Sequence, residues 1–423
     1  MLNRMPGLMR LVHYNRLHFT GDMTAGLTVA MLLVPQSMAY AMIAGVPITA
    51  GLFAAAFPPI IYAFIGGSSY LSVGPVSIVS LMSFSGVSAI AQPNSHHFLE
   101  LMVMLALMVA GIQLFLGLIK FGTFFSFVSL AVISGFTSAA AIIIALNQIK
   151  SMMGISLSGY TNIVDYVSKL MHHATNANLY TIGIGIGSLI LLIVIKKRFL
   201  ASPGPLIVIV TSIVVVNYFQ FYRNGVDIVG EIPRQLPDFS LHIPSVEIFL
   251  SLFPVAFMIA FISFAESYAI TRVLASKENE QLNPNHELYS LGFANMTSSI
   301  VGAFPVAGAI SRTAVNHQSG AKSNLSLLVT ALFMLLAIFF ITPLFYYLPE
   351  ASLAAIIIMA VSNLIDVKLI LHYCKNLSSE AVLFLTTFLV TLTVDIFLGL
   401  LTGLSLSLLI NLMRRRGKII SAG

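Results

Sequence analysis

The sequence contains no tryptophan and one cysteine, Cys374, and only 9% of its residues carry a charge. A single cysteine excludes an intramolecular disulfide and leaves a metal cluster without sulfur ligands. Soluble globular domains carry about 25% charged residues, so the low charge content excludes that class of protein. HExxH, GxSxG and Walker A motifs are also missing, which argues against a membrane enzyme. We expect neither a metal nor a cofactor.

Long apolar runs are the main feature that is present. Hydrophobic residues make up 58% of the chain, and the mean hydropathy is +0.95. Runs of about 20 residues, each long enough to cross a bilayer, recur from Met23 onward. The chain is therefore predicted to be an all-α membrane protein that crosses the lipid bilayer many times. Its net charge of +6 reflects basic residues that retain membrane segments on the cytoplasmic side, so we expect no nucleic-acid partner.

Hydropathy, together with the proline, glycine and polar residues that mark loops, predicts fourteen membrane spans. Their predicted bounds are 23–44, 48–65, 75–89, 97–118, 124–148, 180–195, 205–221, 246–275, 286–302, 309–320, 325–347, 351–364, 379–394 and 396–413. With the N-terminus in the cytoplasm, this count places sixteen basic residues on the inner side and four on the outer side. This is the bias that the positive-inside rule requires, and it predicts that both termini are cytoplasmic.

The spans divide into two halves of seven. Residues 23–221 form the first and residues 246–413 the second, with a cytoplasmic segment at 1–22, an outer loop at 222–245 and a basic cytoplasmic tail at 414–423. Because seven is odd, the halves must have opposite orientations in the membrane. The third span of each half is short and broken by proline and glycine. Such paired breaks are typical of inverted-repeat transporters with a binding site at the midplane.

The second break contains an arginine at predicted membrane depth, in the run from Gly302 to Ser326. Arg312 follows Pro305 and Gly308 and is flanked by Ser311 and Thr313. Buried charges in membranes usually mark a substrate path or a paired site. We predict that a helix begins near Ala309 and that its N-terminus, the two hydroxyls and Arg312 attract an anion. The alternative is a structural arginine paired with a carboxylate or with carbonyl groups.

Two further stretches are predicted to complete an anion site. The run Val73–Ser77 would supply an opposing helix N-terminus, with Ser77 as a neutral donor. Gln36 lies beside Pro35 in a predicted span, with Tyr40 one turn further on the same face. Gln36 is a candidate donor to an oxyanion and Tyr40 a candidate pocket wall. An interhelical hydrogen bond by Gln36 is equally compatible with the sequence.

Glu266 is the carboxylate that lies well inside a predicted span. A buried carboxylate can bind and release a proton during transport. A permanent ion pair with Arg312, or a role in fixing a cation, is the alternative. Asp395 also lies in an apolar run, but the predicted topology puts it at an outer turn, where we expect a structural role.

The motifs together resemble the sulfate permease (SulP) family of anion transporters. The resemblance is carried by GDMTAGLTVAMLLVPQSMAYAMIAGVP, LFAAAFPPIIYAFIGGSSYLSVGPVS, SFAESYAI, LNPNHELYSLGFANMTSSIVGAFPVAGAISRTAVNHQSGAKSNLS and TVDIFLGLLTGLS. It implies fourteen spans in two inverted repeats, a core and a gate domain, an elevator-like movement and a homodimer. It also implies that the anion site is lined by Gln36, Tyr40, Val76, Ser77, Ser311 and Arg312, with Glu266 at the acidic position of proton-coupled members.

Members of this family usually continue into a cytoplasmic STAS domain, whereas this sequence stops at Gly423. The resemblance implies a secondary transporter of small inorganic anions, with sulfate as the first candidate substrate. It also implies symport with protons and a location in a bacterial inner membrane. Bicarbonate, chloride and dicarboxylate carriers share the scaffold, and an anion channel would use the same positive pocket. A nucleobase carrier is a weaker alternative, because its site would favour carboxylates over the arginine of the SRT run.

Overall fold

The computed structural model describes most of the chain. The described residues are 5–93, 95–123, 129–157, 160, 162–198, 204–232, 245–278, 280–362, 364–365, 367–375 and 378–420. Parts of five predictions fall outside them: residues 1–4 of the N-terminal segment, 124–128 at the start of the fifth span, 233–244 of the outer loop, 363 near the end of the twelfth span and 421–423 of the tail.

The described part of the chain is almost entirely helical. Its helices, numbered α1 to α18 in chain order, are Pro6–Val12, Phe19–Ala44, Ile48–Ala56, Pro58–Ile65, Ser77–Ser88, His96–Leu118, Leu130–Met153, Ile163–His173, Leu179–Arg198, Gly204–Tyr218, Val246–Glu278, Pro284–Ile300, Ile310–Gln318, Leu325–Leu336, Glu350–Ser362, Val367–Lys375, Ser379–Thr393 and Ile396–Ile420. Short 3₁₀ turns cover Arg16–His18, Ala174–Asn176, Phe221–Asn224 and Thr342–Phe345, and a π turn covers Ala337–Ile341. Two short strands, β1 at Val73–Gly74 and β2 at Ala307–Gly308, form an antiparallel pair.

The helices pack into two groups. The first contains α2 to α6 and α11 to α14, and its main contacts join α6 to α12 and α2 to α14. The second contains α7, α9, α10, α15, α17 and α18, with α7 packed against α15 and α17. Each half of the sequence contributes helices to both groups. The groups meet where α2 contacts α10 and α15, and where α5 contacts α7.

The helix bounds agree with a chain that crosses a membrane. Seven helical stretches in the described residues are long and apolar enough to span a bilayer: 16–44, 48–65, 96–118, 130–153, 179–198, 246–278 and 325–345. Five more apolar helices are shorter, namely α5, α10, α15, α17 and the first part of α18. The prediction of a helical membrane protein is confirmed, whereas the count of fourteen crossings in two inverted repeats stays a prediction.

The structure differs from the predicted spans at two prolines. The span predicted at 48–65 divides at Phe57 into α3 and α4, because Pro58 has no backbone N–H to continue the helical ladder. The span predicted at 325–347 ends as regular helix at Leu336, and π and 3₁₀ turns carry the chain past Pro343. Both departures shorten regular helix without moving the neighbouring elements.

Three of the described helices, α1, α8 and α16, lie outside the predicted spans. The side chain of Asn162 caps α8. Helices α8 and α16 each have an apolar and a polar face, a pattern typical of helices that lie along a membrane surface. The structure agrees with the expected role of Asp395, whose Oδ1 accepts hydrogen bonds from the amides of Phe397 and Leu398 at the start of α18.

The N-terminal end of α2 is held by a buried carboxylate. Asp22 is fully buried. Its Oδ1 accepts from the amides of Lys322 and Ser323 at 2.7 and 3.0 Å, and its Oδ2 accepts from the hydroxyls of Ser323 and Tyr14 at 2.7 and 3.0 Å. Four donors therefore surround one carboxylate, and they tie α2 to the loop between α13 and α14.

Candidate anion-binding site

The two breaks that the sequence predicts meet in space. Val73 pairs with Gly308 and Gly74 with Ala307 in the β1–β2 pair. A helix begins shortly after each strand: α5 begins at Ser77 after β1, and α13 begins at Ile310 after β2. Neither helix start is capped by a side chain, so the positive ends of two helix dipoles face one region of the protein.

The extended backbone at the breaks is satisfied by side chains of neighbouring helices. Asn295 of α12 bonds both the N–H and the C=O of Val306, at 2.8 and 3.0 Å. The hydroxyl of Ser267 on α11 accepts from the Gly308 amide at 2.8 Å. Non-helical backbone is tolerated at membrane depth only when its polar groups are satisfied in this way. These side chains therefore hold the breaks in place.

Arg312 lies at the centre of the meeting point and is 1% exposed. Its Nη1 donates to the Pro75 carbonyl at 2.9 Å and to Gln36 Oε1 at 3.4 Å, and its Nε donates to Ser72 Oγ at 3.4 Å. These acceptors are all neutral. The buried Nη2 has no hydrogen-bond partner. Among the described residues, no carboxylate lies within ion-pair distance of this guanidinium, so its charge is uncompensated.

Gly74 lies next to Arg312 Nη2, the nitrogen without a hydrogen-bond partner, and leaves room for it. A Cβ at this position would lie 3.3 Å from Arg312 Nη2, and the backbone has a φ of +154°. Both facts favour glycine, because L side chains rarely adopt this conformation. From the sequence alone Gly74 is predicted only to break a helix, because its contact with Arg312 depends on the pairing of the two breaks.

Gln36 and Tyr40 approach the site from α2. Gln36 is half-buried and its oxygen accepts the bond from Arg312, which leaves its amide nitrogen as a donor. Tyr40 is 6% exposed, and its hydroxyl interacts with Ser77 and with the charges of Arg312 and Glu266. The structure therefore brings these two α2 residues together with Ser77 and Arg312.

The remaining candidates differ in burial. Val76 and Ser77, at the start of α5, are 8% and 4% exposed. Ser311 is exposed on the first turn of α13 and has no described contact with the other candidates. The hydroxyl of Thr313 accepts a hydrogen bond from the Ser72 amide at 3.1 Å. Thr313 thus bonds one break to the other as an acceptor, and its donation to an anion stays a prediction.

Glu266 lies on α11 with 3% of its surface exposed. Within the described residues its carboxyl makes no hydrogen bond or ion pair. The alternative of a fixed Arg312–Glu266 pair therefore has no support in the geometry. The charge of Glu266 is among those that act on Tyr40, and its part in the same site stays a prediction.

Comparison with known proteins identifies relatives along nearly the whole chain. A model of the sulfate permease family matches residues 19–387. Sulfate transporter 4.1, chloroplastic, of Arabidopsis thaliana is 37% identical over 399 residues, which cover 92% of this chain and 58% of that protein. Probable sulfate transporter MT1781 of Mycobacterium tuberculosis is 31% identical over 410 residues, covering 97% of this chain and 73% of that protein. The chain thus spans little more than half the length of the plant relative.

Solved structures show the same fold. The murine Solute Carrier 26 family member A9 anion transporter, in its inward-facing state, has a TM-score of 0.89 at 24% identity, covering 97% of this chain and 71% of that chain. The transmembrane domain of the cyanobacterium bicarbonate transporter BicA has a TM-score of 0.80 at 23% identity, covering 93% and 98%. The family match over most of the residues confirms the resemblance that the sequence motifs carry. The chain belongs to the sulfate permease family.

Proposed function

We propose that the chain is a secondary transporter of small inorganic anions, with sulfate as the first candidate substrate. The observation that carries this proposal is the buried Arg312, whose Nη2 has no partner and whose charge no described carboxylate balances. An uncompensated buried charge is costly. A bound anion supplies the missing charge and accepts the free N–H donors of the guanidinium.

The surroundings of Arg312 suit a tetrahedral oxyanion. Such an anion offers acceptors in several directions, and the two helix starts at Ser77 and Ile310 supply donors on opposite sides. The amide nitrogen of Gln36 and the hydroxyls of Ser77 and Tyr40 add neutral donors, while Val76 lines the start of α5. Ser311, exposed at the start of α13, is proposed to meet the anion as it enters or leaves.

Proton coupling is proposed to depend on Glu266. A proton taken up by this buried carboxyl offsets one negative charge of the anion as the loaded protein reorients. The absence of a described partner supports this role, since a carboxylate held in a permanent ion pair could not exchange its proton readily. The proton is therefore the proposed coupling ion.

The transport movement is proposed to be a sliding of the first helix group against the second, as in an elevator. α2 and α5 carry Gln36, Tyr40 and Ser77, and both also pack against the second group. Movement between the groups would therefore carry the site across the membrane. The wider proposal comprises fourteen spans with cytoplasmic termini, a homodimer and a bacterial inner membrane.

The test is uptake of radiolabelled sulfate into proteoliposomes, with and without an inward proton gradient, in competition with bicarbonate, chloride and succinate. We expect saturable uptake that the gradient drives and that counterflow accelerates. Uptake of a competitor without any sulfate uptake would replace the proposed substrate with that competitor. Flux that never saturates and shows no counterflow would contradict a carrier and favour an anion channel.

A further inference from the structure

A second positively charged cavity lies away from Arg312, at the N-terminal end of α2. It has a volume of about 350 Å³ and lies between the segment that precedes α2 and the loop that follows α13. Its polar lining residues include Arg10, His13, Tyr14, His18, Lys322 and Ser323. In the predicted topology, this end of α2 faces the cytoplasm.

The cavity has fixed positive charge and no acidic lining. Arg10 donates to the Gly67 carbonyl at 2.7 Å and to Asn324 Oδ1 at 3.3 Å. Both acceptors are neutral, so the contacts orient the guanidinium without cancelling its charge. Lys322 is half-exposed, and its Nζ lies 3.9 Å from Glu278, a distance that permits only a weak ion pair. His13 and His18 add ring nitrogens that can donate hydrogen bonds.

The acidic residues near the cavity offset part of its positive charge, but none of them lines it. Asp22 lies beneath it and accepts from four donors. Glu278 bonds His317 at 2.8 Å and lies 3.9 Å from Lys322. Glu287, in the first turn of α12, is fully buried, accepts from the Tyr62 hydroxyl at 2.6 Å and lies within electrostatic range of Arg10. A ligand in the cavity would therefore meet Arg10 and Lys322 without a carboxylate in the lining between them.

Exposed apolar side chains lie in the same segment of the chain as this basic cavity. Val12 is 64% exposed, Leu17 87% and Phe19 51%, and Met9 lines one wall. Helix α2, which begins at Phe19, is long and apolar enough to span a bilayer, and a membrane boundary near its N-terminal end would bring these side chains to the level where lipid meets water. A cavity for a dissolved anion needs no such rim. A lipid, in contrast, has a charged headgroup beside apolar chains.

We propose that this cavity binds the phosphate headgroup of an anionic phospholipid of the cytoplasmic leaflet. The phosphate oxygens accept from Arg10, Lys322 and His18, while the acyl chains pass over Leu17 and Phe19. Basic pockets at the cytoplasmic ends of membrane helices bind lipid headgroups by this chemistry. The bound lipid links the segment before α2 to the loop between α13 and α14. The site is independent of Arg312 and of the proposed transport activity.

The test measures lipid binding to the purified protein by native mass spectrometry and by the rise in thermal unfolding temperature. The probes are phosphatidylglycerol, phosphatidylcholine and inorganic phosphate. We expect phosphatidylglycerol to bind and to raise the unfolding temperature more than either of the others. Lys322→Gln should weaken its binding about fivefold, since one basic residue is removed from the membrane surface. His18→Gln should weaken it further when combined with Lys322→Gln.

Lys197→Gln is the matched control, because Lys197 is exposed at the end of α9 in the other helix group. It should leave binding unchanged. Equal losses in Lys322→Gln and Lys197→Gln would overturn the proposal in favour of general attraction to positive charge. Equal binding of the two lipids would also overturn it. A response to inorganic phosphate as large as that to phosphatidylglycerol would assign the cavity to a dissolved anion instead.

Discussion

Asp22 and Arg312 are two buried charges beside helix starts, and they differ in how completely the protein satisfies them. The Asp22 carboxylate accepts from four donors at 2.7 to 3.0 Å. Arg312 makes three bonds, two of them at 3.4 Å, and leaves Nη2 without a partner. A charge that the fold satisfies fully stabilises the fold, whereas a charge left open has capacity for a ligand. The comparison separates a structural site from a binding site.

Removal of the Arg312 charge, which no described carboxylate balances, should have the largest effect on transport. We expect Arg312→Ala to lower anion affinity on the order of 100-fold, as the loss of a buried charge-assisted contact does. Thermal stability should change little, because the substitution also removes an uncompensated buried charge. Uptake in proteoliposomes and thermal unfolding of the same preparation check both parts. Arg312→Lys is the control, and it should recover only part of the affinity because it lacks the planar fork.

Removal of the fully hydrogen-bonded charge of Asp22 should lower the stability of the protein and leave its anion affinity unchanged. Asp22→Asn weakens several charge-assisted bonds at once and should lower the free energy of unfolding by about 3 kcal/mol. The anion affinity of the protein that remains folded should be unchanged. Chemical unfolding and radiolabelled anion binding measure the two quantities. A stable Asp22→Asn protein with reduced anion binding would reverse the roles that the comparison assigns.

Tyr14→Phe offers a milder version of the same test. Burial, together with the hydrogen bond to Asp22 and its negative charge, raises the pKa of Tyr14 to about 12. The hydroxyl therefore stays protonated and donates to Asp22 at any physiological pH. Because one donor of four is lost, we expect Tyr14→Phe to cost about 1 kcal/mol of unfolding free energy. A cost equal to that of Asp22→Asn would mean that the other three donors contribute nothing.

Glu266 extends the comparison to a buried carboxyl with no described partner. Glu266→Gln keeps the size of the side chain but cannot take up a proton. We expect accumulation against a concentration gradient to fall about tenfold or more, as for loss of a proton-transferring group, while exchange of one anion for another continues. Uptake driven by an imposed pH gradient checks this result. If the variant still follows the gradient, the coupling role belongs to another residue.

Gly74→Ala should give the smallest effect on the anion site. The added Cβ would lie 3.3 Å from Arg312 Nη2 and would occupy a backbone conformation that disfavours alanine. We expect about fivefold weaker anion binding, within the usual range for a substitution of this kind. Gly111→Ala is the control, since a Cβ there meets nothing within 4 Å. Equal effects of the two substitutions would remove Gly74 from the site.

Much of the fold could be predicted from local sequence. Apolar runs located the long helices, and proline with glycine located both breaks, because these signals act within one turn of the chain. The start of α13 was predicted near Ala309, which is the residue before its first turn. The amphipathic pattern of α8 and α16 is also present in the sequence. Their overall hydrophobicity is too low for a membrane span, so hydropathy does not predict these two helices.

The contacts that hold the fold and the candidate site together depend on residues that are distant in sequence. Three of the four donors to Asp22 lie about 300 residues away, so no local pattern identifies this carboxylate as fully hydrogen-bonded. Thr313 was expected to help attract the anion, and its hydroxyl also accepts from the amide of Ser72, a contact that no local pattern predicts. The roles of Ser72 and Gly74 likewise follow from the pairing of β1 with β2. The sequence therefore identified the candidate residues, whereas the contacts between them depend on the pairing of the two breaks.

The most direct test of the account is anion binding to purified Arg312→Ala beside the unaltered protein and Asp22→Asn. Equilibrium dialysis with radiolabelled sulfate, chloride and bicarbonate measures binding without depending on transport or on the choice of one substrate. The account predicts saturable binding of at least one anion to the unaltered protein and to folded Asp22→Asn, with that binding lost in a folded Arg312→Ala. Unaltered affinity in Arg312→Ala would contradict it, because the open donors of Arg312 would then have no part in holding the anion.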